Sequence, residues 1–328
     1  FAGENKFVCN YRFREPLSGG EQYHYGIMKP DGITVSRTGA EYIAAIKEMA
    51  MLRTIASPGA QAPASYSARK TAILYSVDSR WETDNQPQTY QWNFMNHLMK
   101  YYGVLKSFGA PVDIVNENVD FSKYPVIIAP AFQLLDRNLV ARWKQYVEQG
   151  GHLVLTSRTG EKDREAHLWE AKFAQPLYDL LGISDVFYDQ LPDTKTAKVT
   201  MDGRLYNWNN WADVLQGPAR PTVMAAYADQ FYKGQAAVIN RKLGKGTVTY
   251  IGPDTDDGKL EKAVLKKVYA QAGIPVMNLP EGVIVEWRDG LWIGLNYSSV
   301  NQAVPAPPAA RFILGAKTLP PAGVAVWR

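Results

Sequence analysis

The sequence predicts an α/β chain in three parts: a terminal strand–helix unit of a larger α/β structure, a doubly wound domain, and a small antiparallel β domain. Three observations predict it. Residues 1–56 offer one apolar run and one helix, which cannot bury each other's faces. From residue 71, short and nearly unbroken apolar strands alternate with helices, the pattern of a mostly parallel sheet covered on both faces. From residue 280 the segments turn short and β-rich, punctuated by Asp-Gly and Pro-Pro.

Each element follows from its residues. The run at 7–13 (FVCNYRF) reads as a buried strand, and 38–55 carries Ala40, Ile43, Ala44, Ile46, Met49, Ala50 and Leu52 at helical spacing. Residues 57–70 (SPGAQAPASYSARK) read as a surface linker, rich in Pro, Ala and Ser. In the domain spanning 71–279, strands are expected at 71–77, 112–115, 126–129 and 152–156, with helices at 90–108 and 136–149. Gly150-Gly151 ends the second helix. Strands at 236–241 and 246–251 follow, joined by a glycine-containing turn, and a helix at 260–272 stops at Gly273. In the last part, 280–328, the segments VIVEWR, LWIGLNYS, RFILG and GVAVWR read as strands, with Asp289-Gly290 as a hairpin turn.

Composition narrows the function classes. Against 36 Lys and Arg stand 32 Asp and Glu, without any long block of like charge, so no nucleic-acid partner is indicated. No apolar run is long enough to cross a bilayer, and the start lacks the pattern of an export signal, so no membrane partner is expected. The single cysteine, Cys9, excludes an intrachain disulfide and a Cys-rich metal cluster. It leaves the compartment open, with the cytoplasm placed ahead of the periplasm. The 9 Trp and 19 Tyr suit a protein that stacks rings on sugar faces, but aromatic residues serve cores and interfaces equally.

The best candidate constellation is Tyr11, Arg14, Glu21 and His24. A carboxylate and an imidazole three residues apart, just after an apolar strand, could reach one cleft from the strand's carboxyl end. Glu21 would accept from vicinal sugar hydroxyls, His24 would give or take another hydrogen bond, and Tyr11 would stack. The competing reading is an ordinary polar loop with an Arg14–Glu21 salt bridge. No catalytic pair can be named. Retaining glycoside hydrolysis needs two carboxylates about 5 Å apart, and the spacing of Glu15 and Glu21 in a loop fixes no such distance.

The middle domain carries neither GxGxxG nor GxxxxGK[ST], and Ser157 lacks the flanking glycines of a nucleophile elbow. Trp81, Glu82 and Trp92, in WETDNQPQTYQWNF, are candidates for a cleft or a subunit interface, with plain surface packing as the alternative. Asp254, Asp256 and Asp257 lack calcium-loop spacing, and Asp257 reads as a helix cap. Trp208 and Trp211 fit a stacking surface or a buried loop anchor.

The stretch YRFREPLSGGEQYHYGIMKPDG, with SRTGAEYIAAIKEM, resembles the final barrel strand and following loop of glycoside hydrolase family 42 β-galactosidases. The family's Gly-Ala-Glu-x-x-His stands here as Gly19-Gly20-Glu21-Gln22-Tyr23-His24, with Gly20 in place of Ala. The resemblance implies that Glu21 and His24 bind galactose, that Tyr11 is the substrate-contacting aromatic, and that Arg14 closes the aromatic strand. It further implies that residues 1–56 end a catalytic (β/α)8 barrel. Residues 71–279 would then be a flavodoxin-like, class I glutamine-amidotransferase-like trimerisation domain, and 280–328 a C-terminal β domain. The domain has no nucleophilic cysteine, which points to an assembly role.

The family's acid/base and nucleophile glutamates lie on earlier barrel strands. This chain is therefore expected to be inactive alone, to contain no catalytic residue, and to need an upstream catalytic barrel segment. Together they would form a homotrimeric retaining β-galactosidase acting on terminal β-D-galactosyl residues of a β-galactoside or oligosaccharide, with neither cofactor nor metal from this chain. The alternative is a non-catalytic carbohydrate-binding or oligomerisation module.

Overall fold

The computed structural model describes residues 2–3, 7–217 and 221–328. They form two compact units, one of residues 64–281 and one joining residues 1–63 to 282–328. Among the described residues no helix is long and apolar enough to cross a membrane.

Unit 1 opens with α1 (Arg37–Ile55), capped by Ser36, whose hydroxyl accepts from the Gly39 amide. It is covered at its two ends: Gly39 is buried against Ile27 in the first turn, Leu52 is buried in the last turns, and Met49, Met51 and Ile55 pack with Leu291, Ile293 and Val326 of the C-terminal segment. The face expected to be apolar is open, with Ile43 and Ile46 exposed. The expected strand at 7–13 is absent. Phe7 is 83% and Phe13 66% exposed, and the nearest regular pairing is an isolated bridge between Arg14 and Met28. A strand needs neighbours for its peptide groups, and among the described residues partners reach only the end of this run, where the Arg12 and Phe13 carbonyls accept from the Ile27 and Met28 amides.

Unit 2 is the doubly wound domain. After the short α2 (Ala64–Ser67) come β1 (Thr71–Leu74), α3 (Val77–Asn85), α4 (Phe94–Ser107), β2 (Val112–Val115), β3 (Val126–Ala129), α5 (Arg137–Glu148) and β4 (His152–Thr156). Next are α6 (Tyr178–Leu181), β5 (Asp185–Gln190), β6 (Ala197–Met201), β7 (Arg204–Trp208), β8 (Trp211–Gln216) and β9 (Thr222–Tyr227). The unit closes with β10 (Ala236–Leu243), β11 (Gly246–Ile251) and α7 (Lys259–Gln271). The parallel strands run β2-β1-β3-β4-β11, the flavodoxin-like order, and β10, β9, β6 and β7 extend that sheet in antiparallel fashion.

Both sheet faces are covered. Ile73, Ile128 and Val154 pack with Phe94, Leu98, Leu105, Val264 and Val268 of α4 and α7. Their strand neighbours Ala72, Ile127, Leu153 and Leu155 point the other way, onto Leu139, Trp143 and Val147 of α5. Two differences from the sequence reading stand out. The helix expected at 90–108 begins at Phe94, because Asn93 caps it by accepting from the Asn96 amide at 2.8 Å. The hairpin β6–β7 turns on Asp202-Gly203, both with positive φ, a turn residue pair that the sequence reading passed over.

The C-terminal strands of unit 1 are β12 (Val283–Arg288), β13 (Leu291–Asn296), β14 (Gln302–Ala303), β15 (Phe312–Leu314), β16 (Thr318–Leu319) and β17 (Val324–Trp327). The order β12-β13-β17-β15 makes an antiparallel sheet, with β14 paired to β16. Asp289 and Gly290 form the expected two-residue turn, with φ 49° and 85°. Around it, the Ser57 amide donates to the Asp289 carbonyl at 2.8 Å.

Candidate functional site

The loop before α1 gathers the polar groups. Its turn at Gly19 has a positive φ of 85°, and the His24 amide closes onto the Glu21 carbonyl at 2.9 Å. The return leg lies against the outgoing one: the Met28 amide donates to Phe13 and the Glu15 amide to Met28, at 2.7 and 3.0 Å. Gly26 is required there, since a Cβ would meet the Arg14–Glu15 peptide at 2.7 Å. Ser36 joins loop to helix, donating to the Gly26 carbonyl at 2.5 Å while it caps α1.

This backbone brings Tyr11 and Glu21 together. The Tyr11 hydroxyl donates to Glu21 Oε2 at 2.7 Å, and Arg12 Nη1 donates to the same oxygen at 3.0 Å. Arg12 Nε donates to the Arg14 carbonyl at 3.0 Å, and its guanidinium lies 5.5 Å from the centre of the Tyr11 ring. The Tyr11 hydrogen bond, then the Arg12 charge, hold the Glu21 carboxyl below its ordinary range, with a smaller pull from His24. The same hydrogen bond raises the Tyr11 hydroxyl. All of these groups face solvent.

Arg14 does not join them. Its Nε donates to the Pro30 carbonyl at 2.7 Å and its side chain packs over Gly32, so the anticipated Arg14–Glu21 salt bridge is made by Arg12 instead. Sequence reasoning missed Arg12. The only available sign was a cation beside the aromatic residue, and the Gly19–Gly20 turn is what folds Glu21 back onto it.

The middle unit uses its chemistry inward. A doubly wound sheet binds ligands in the crevice beyond the carboxyl ends of its strands, where strand order reverses. Here that region is filled by the protein's own side chains. Ser79 of α3 accepts from the Leu134 amide at 3.1 Å, and Lys162 pairs with Glu82 and donates to Gln86. Arg158, with a φ of 66° just past β4, contacts the rings of both Trp92 and Trp211, at 4.8 and 4.5 Å. Its guanidinium donates to the Pro87 and Gln86 carbonyls. Ser157 is wholly buried, with its amide bonded to the Ile251 carbonyl, and is no nucleophile elbow.

Of the three residues proposed for a cleft or interface, Trp81 is 62% exposed, whereas Trp92 is only 6% exposed. Trp92 lies beneath Arg158, and Glu82 pairs with Lys162. Trp208 and Trp211 are likewise buried anchors. Asp254 binds His97 at 2.7 Å and Lys100 at 2.5 Å; despite burial, the Lys100 charge, helped by the His97 contact, holds its carboxyl well below the usual range. Asp257 accepts from the Lys259 amide at 3.0 Å at the start of α7. Among the described residues no cluster of metal-ligating side chains forms.

A family model described as the β-galactosidase trimerisation domain matches residues 69–279, and one described as the β-galactosidase C-terminal domain matches residues 282–328. This chain belongs to glycoside hydrolase family 42. Among relatives of this family 42 chain, β-galactosidase BgaH of Haloferax lucentense is 31% identical over 313 residues, which is 95% of the chain and 45% of that protein. A β-galactosidase of Thermus thermophilus is 26% identical over 330 residues, covering 98% and 46% respectively.

Solved structures agree with the fold. A polyextremophilic β-galactosidase from the haloarchaeon Halorubrum lacusprofundi superposes with a TM-score of 0.83 at 29% identity, over 97% of this chain and 47% of that one. The family 42 β-galactosidase Gan42B gives 0.83 at 25% identity, with 97% and 47% covered. The chain thus spans about half the length of the relatives it matches.

Proposed function

We propose that this chain acts as the C-terminal portion of a retaining β-galactosidase, completed by a catalytic barrel to which residues 1–56 contribute the final wall. In this reading 57–70 is a linker, 71–279 assembles the homotrimer, and 280–328 is the C-terminal β domain. Tyr11, Glu21 and His24 hold the galactosyl group. The bond is broken by two glutamates outside this chain, one protonating the leaving oxygen and the other forming the glycosyl-enzyme that water hydrolyses.

The observation that carries this reading is the apolar surface at the start of unit 1. Phe7, Val8, Tyr11, Phe13, Leu17, Tyr23, Tyr25 and Ile33 are all exposed, and so are Ile43 and Ile46 along α1. So many exposed large apolar side chains within one segment mark a surface made to be covered. A barrel would supply both the cover and a fuller set of strand neighbours for 7–13.

In the intact enzyme, replacing Glu21 with Ala should lower kcat/KM for a β-galactoside at least about tenfold, the scale of a lost hydrogen bond to a charged group, without dissociating the trimer. Unchanged turnover would remove Glu21 from the sugar site. A cyclic trimer needs two different, mutually complementary patches. Trp81, exposed on α3, is the proposed anchor of one of them. Trp81→Arg should then lower the sedimentation mass toward that of a monomer, and a mass that stays trimeric would place the contact elsewhere.

A further inference from the structure

Glu21 is held from one side only. Oε2 receives the Tyr11 hydroxyl at 2.7 Å and Arg12 Nη1 at 3.0 Å, while among the described residues Oε1 receives no hydrogen bond. A carboxylate oxygen has two lone pairs in its plane, so the two donors use both lone pairs of Oε2. The Arg12 guanidinium is itself fixed, since its Nε is tied to the Arg14 carbonyl at 3.0 Å. It also lies over the Tyr11 ring, 5.5 Å from the centroid, which takes one face of that ring out of use.

We infer that Arg12 is a positioning residue of the sugar site: with Tyr11 it clamps Oε2 of Glu21, so that Oε1 alone is presented to the substrate's hydroxyls. This rests on the proposed reading of Glu21 as a galactose ligand, and it refines that reading in two ways. Glu21 grips the sugar through one oxygen, so a vicinal pair of hydroxyls cannot straddle both oxygens of the carboxylate. Tyr11 spends its proton on Glu21, so it meets the substrate through its uncovered ring face and not as a hydrogen-bond donor.

The physical reason for the clamp lies in the loop. Glu21 sits past the Gly19–Gly20 turn on a surface with its side chain 48% exposed. Without fixed donors its carboxylate would sample several rotamers, and each binding event would have to select one. Two donors that converge on one oxygen from residues 11 and 12 remove that freedom before substrate arrives. Arg12 is partly exposed, and solvent weakens the pair, so its effect belongs at the low end of a charged hydrogen bond.

The test is a double-mutant cycle in the intact enzyme, using nitrophenyl β-D-galactoside turnover. Arg12→Ala should raise KM about tenfold with kcat changed little, because a group that holds a ground-state ligand acts on binding. Arg12→Lys, which keeps one charged donor, should recover much of the loss. In a Glu21→Ala background the further effect of Arg12→Ala should vanish, since a residue acting through Glu21 has nothing left to position. If Arg12→Ala costs the same with and without Glu21, the positioning role is wrong while the sugar-site reading stands. If Glu21→Ala itself has no effect, the underlying reading fails instead. Should Arg12→Ala prove unfolded, Arg12→Lys and Arg12→Gln carry the same cycle; equal KM for both and for the parent would overturn the proposal.

Discussion

At the scale of single residues the chain shows two opposite uses of charge. Glu21, on the surface, is kept ionised by donors that converge on it. Glu161, buried in the middle unit, is pushed up to about 7 by loss of water, over the opposing pull of Arg158, and buried Asp213 moves in the same direction. The sign follows from proton counting. Between its ordinary value and the raised one, the folded chain keeps a proton that the unfolded chain has released, so stability falls as pH rises through that window. Glu161→Gln should flatten this fall in Tm between about pH 4.5 and about pH 7. A melting profile with unchanged slope would remove Glu161 from the account. Neither use of charge was legible in the sequence. Residues 12 and 21 meet only because a glycine turn reverses the chain, and Glu161 looks in sequence like any surface carboxylate after a strand.

At the scale of elements, legibility followed burial pattern. The strands Val112–Val115, Val126–Ala129, His152–Thr156 and Gly246–Ile251 lie where their apolar, β-branched runs put them, bounded by turn residues. Helix α3 gave no such sign, because the positions it buries are Ser79 and Thr83, polar residues that serve packing by bonding the backbone. The antiparallel strands β5 to β9 were also missed; β8 is buried almost throughout but mixes Trp, Asp and Gln. Asp136, at the start of the expected second helix, caps it by accepting from the Leu139 amide at 2.7 Å. Asp136→Ala should cost about 1 kcal/mol in urea unfolding of the middle unit, with the sheet intact. A loss within error would show that Arg164, which also binds Asp136, compensates for the cap.

For the whole molecule, the family match, the flavodoxin-like strand order and the filled crevice lead to one picture. In the middle unit, buried Arg158 packs on the rings of Trp92 and Trp211 beyond the end of β4. Residues 7–46 do the reverse, exposing aromatic and apolar groups that no other described residue covers. The three-part organisation was readable from the change of pattern along the sequence, whereas the docking of α1 on the C-terminal strands was not, because that contact joins the two ends of the chain. The most direct measurement is a crystal structure of the intact enzyme with galactose bound. The account predicts a sugar hydroxyl within hydrogen-bonding distance of Glu21 Oε1, the ring of Tyr11 against the sugar, and Phe7, Phe13 and Ile46 buried by barrel elements. Galactose bound away from Glu21, with those side chains still facing solvent, would contradict it.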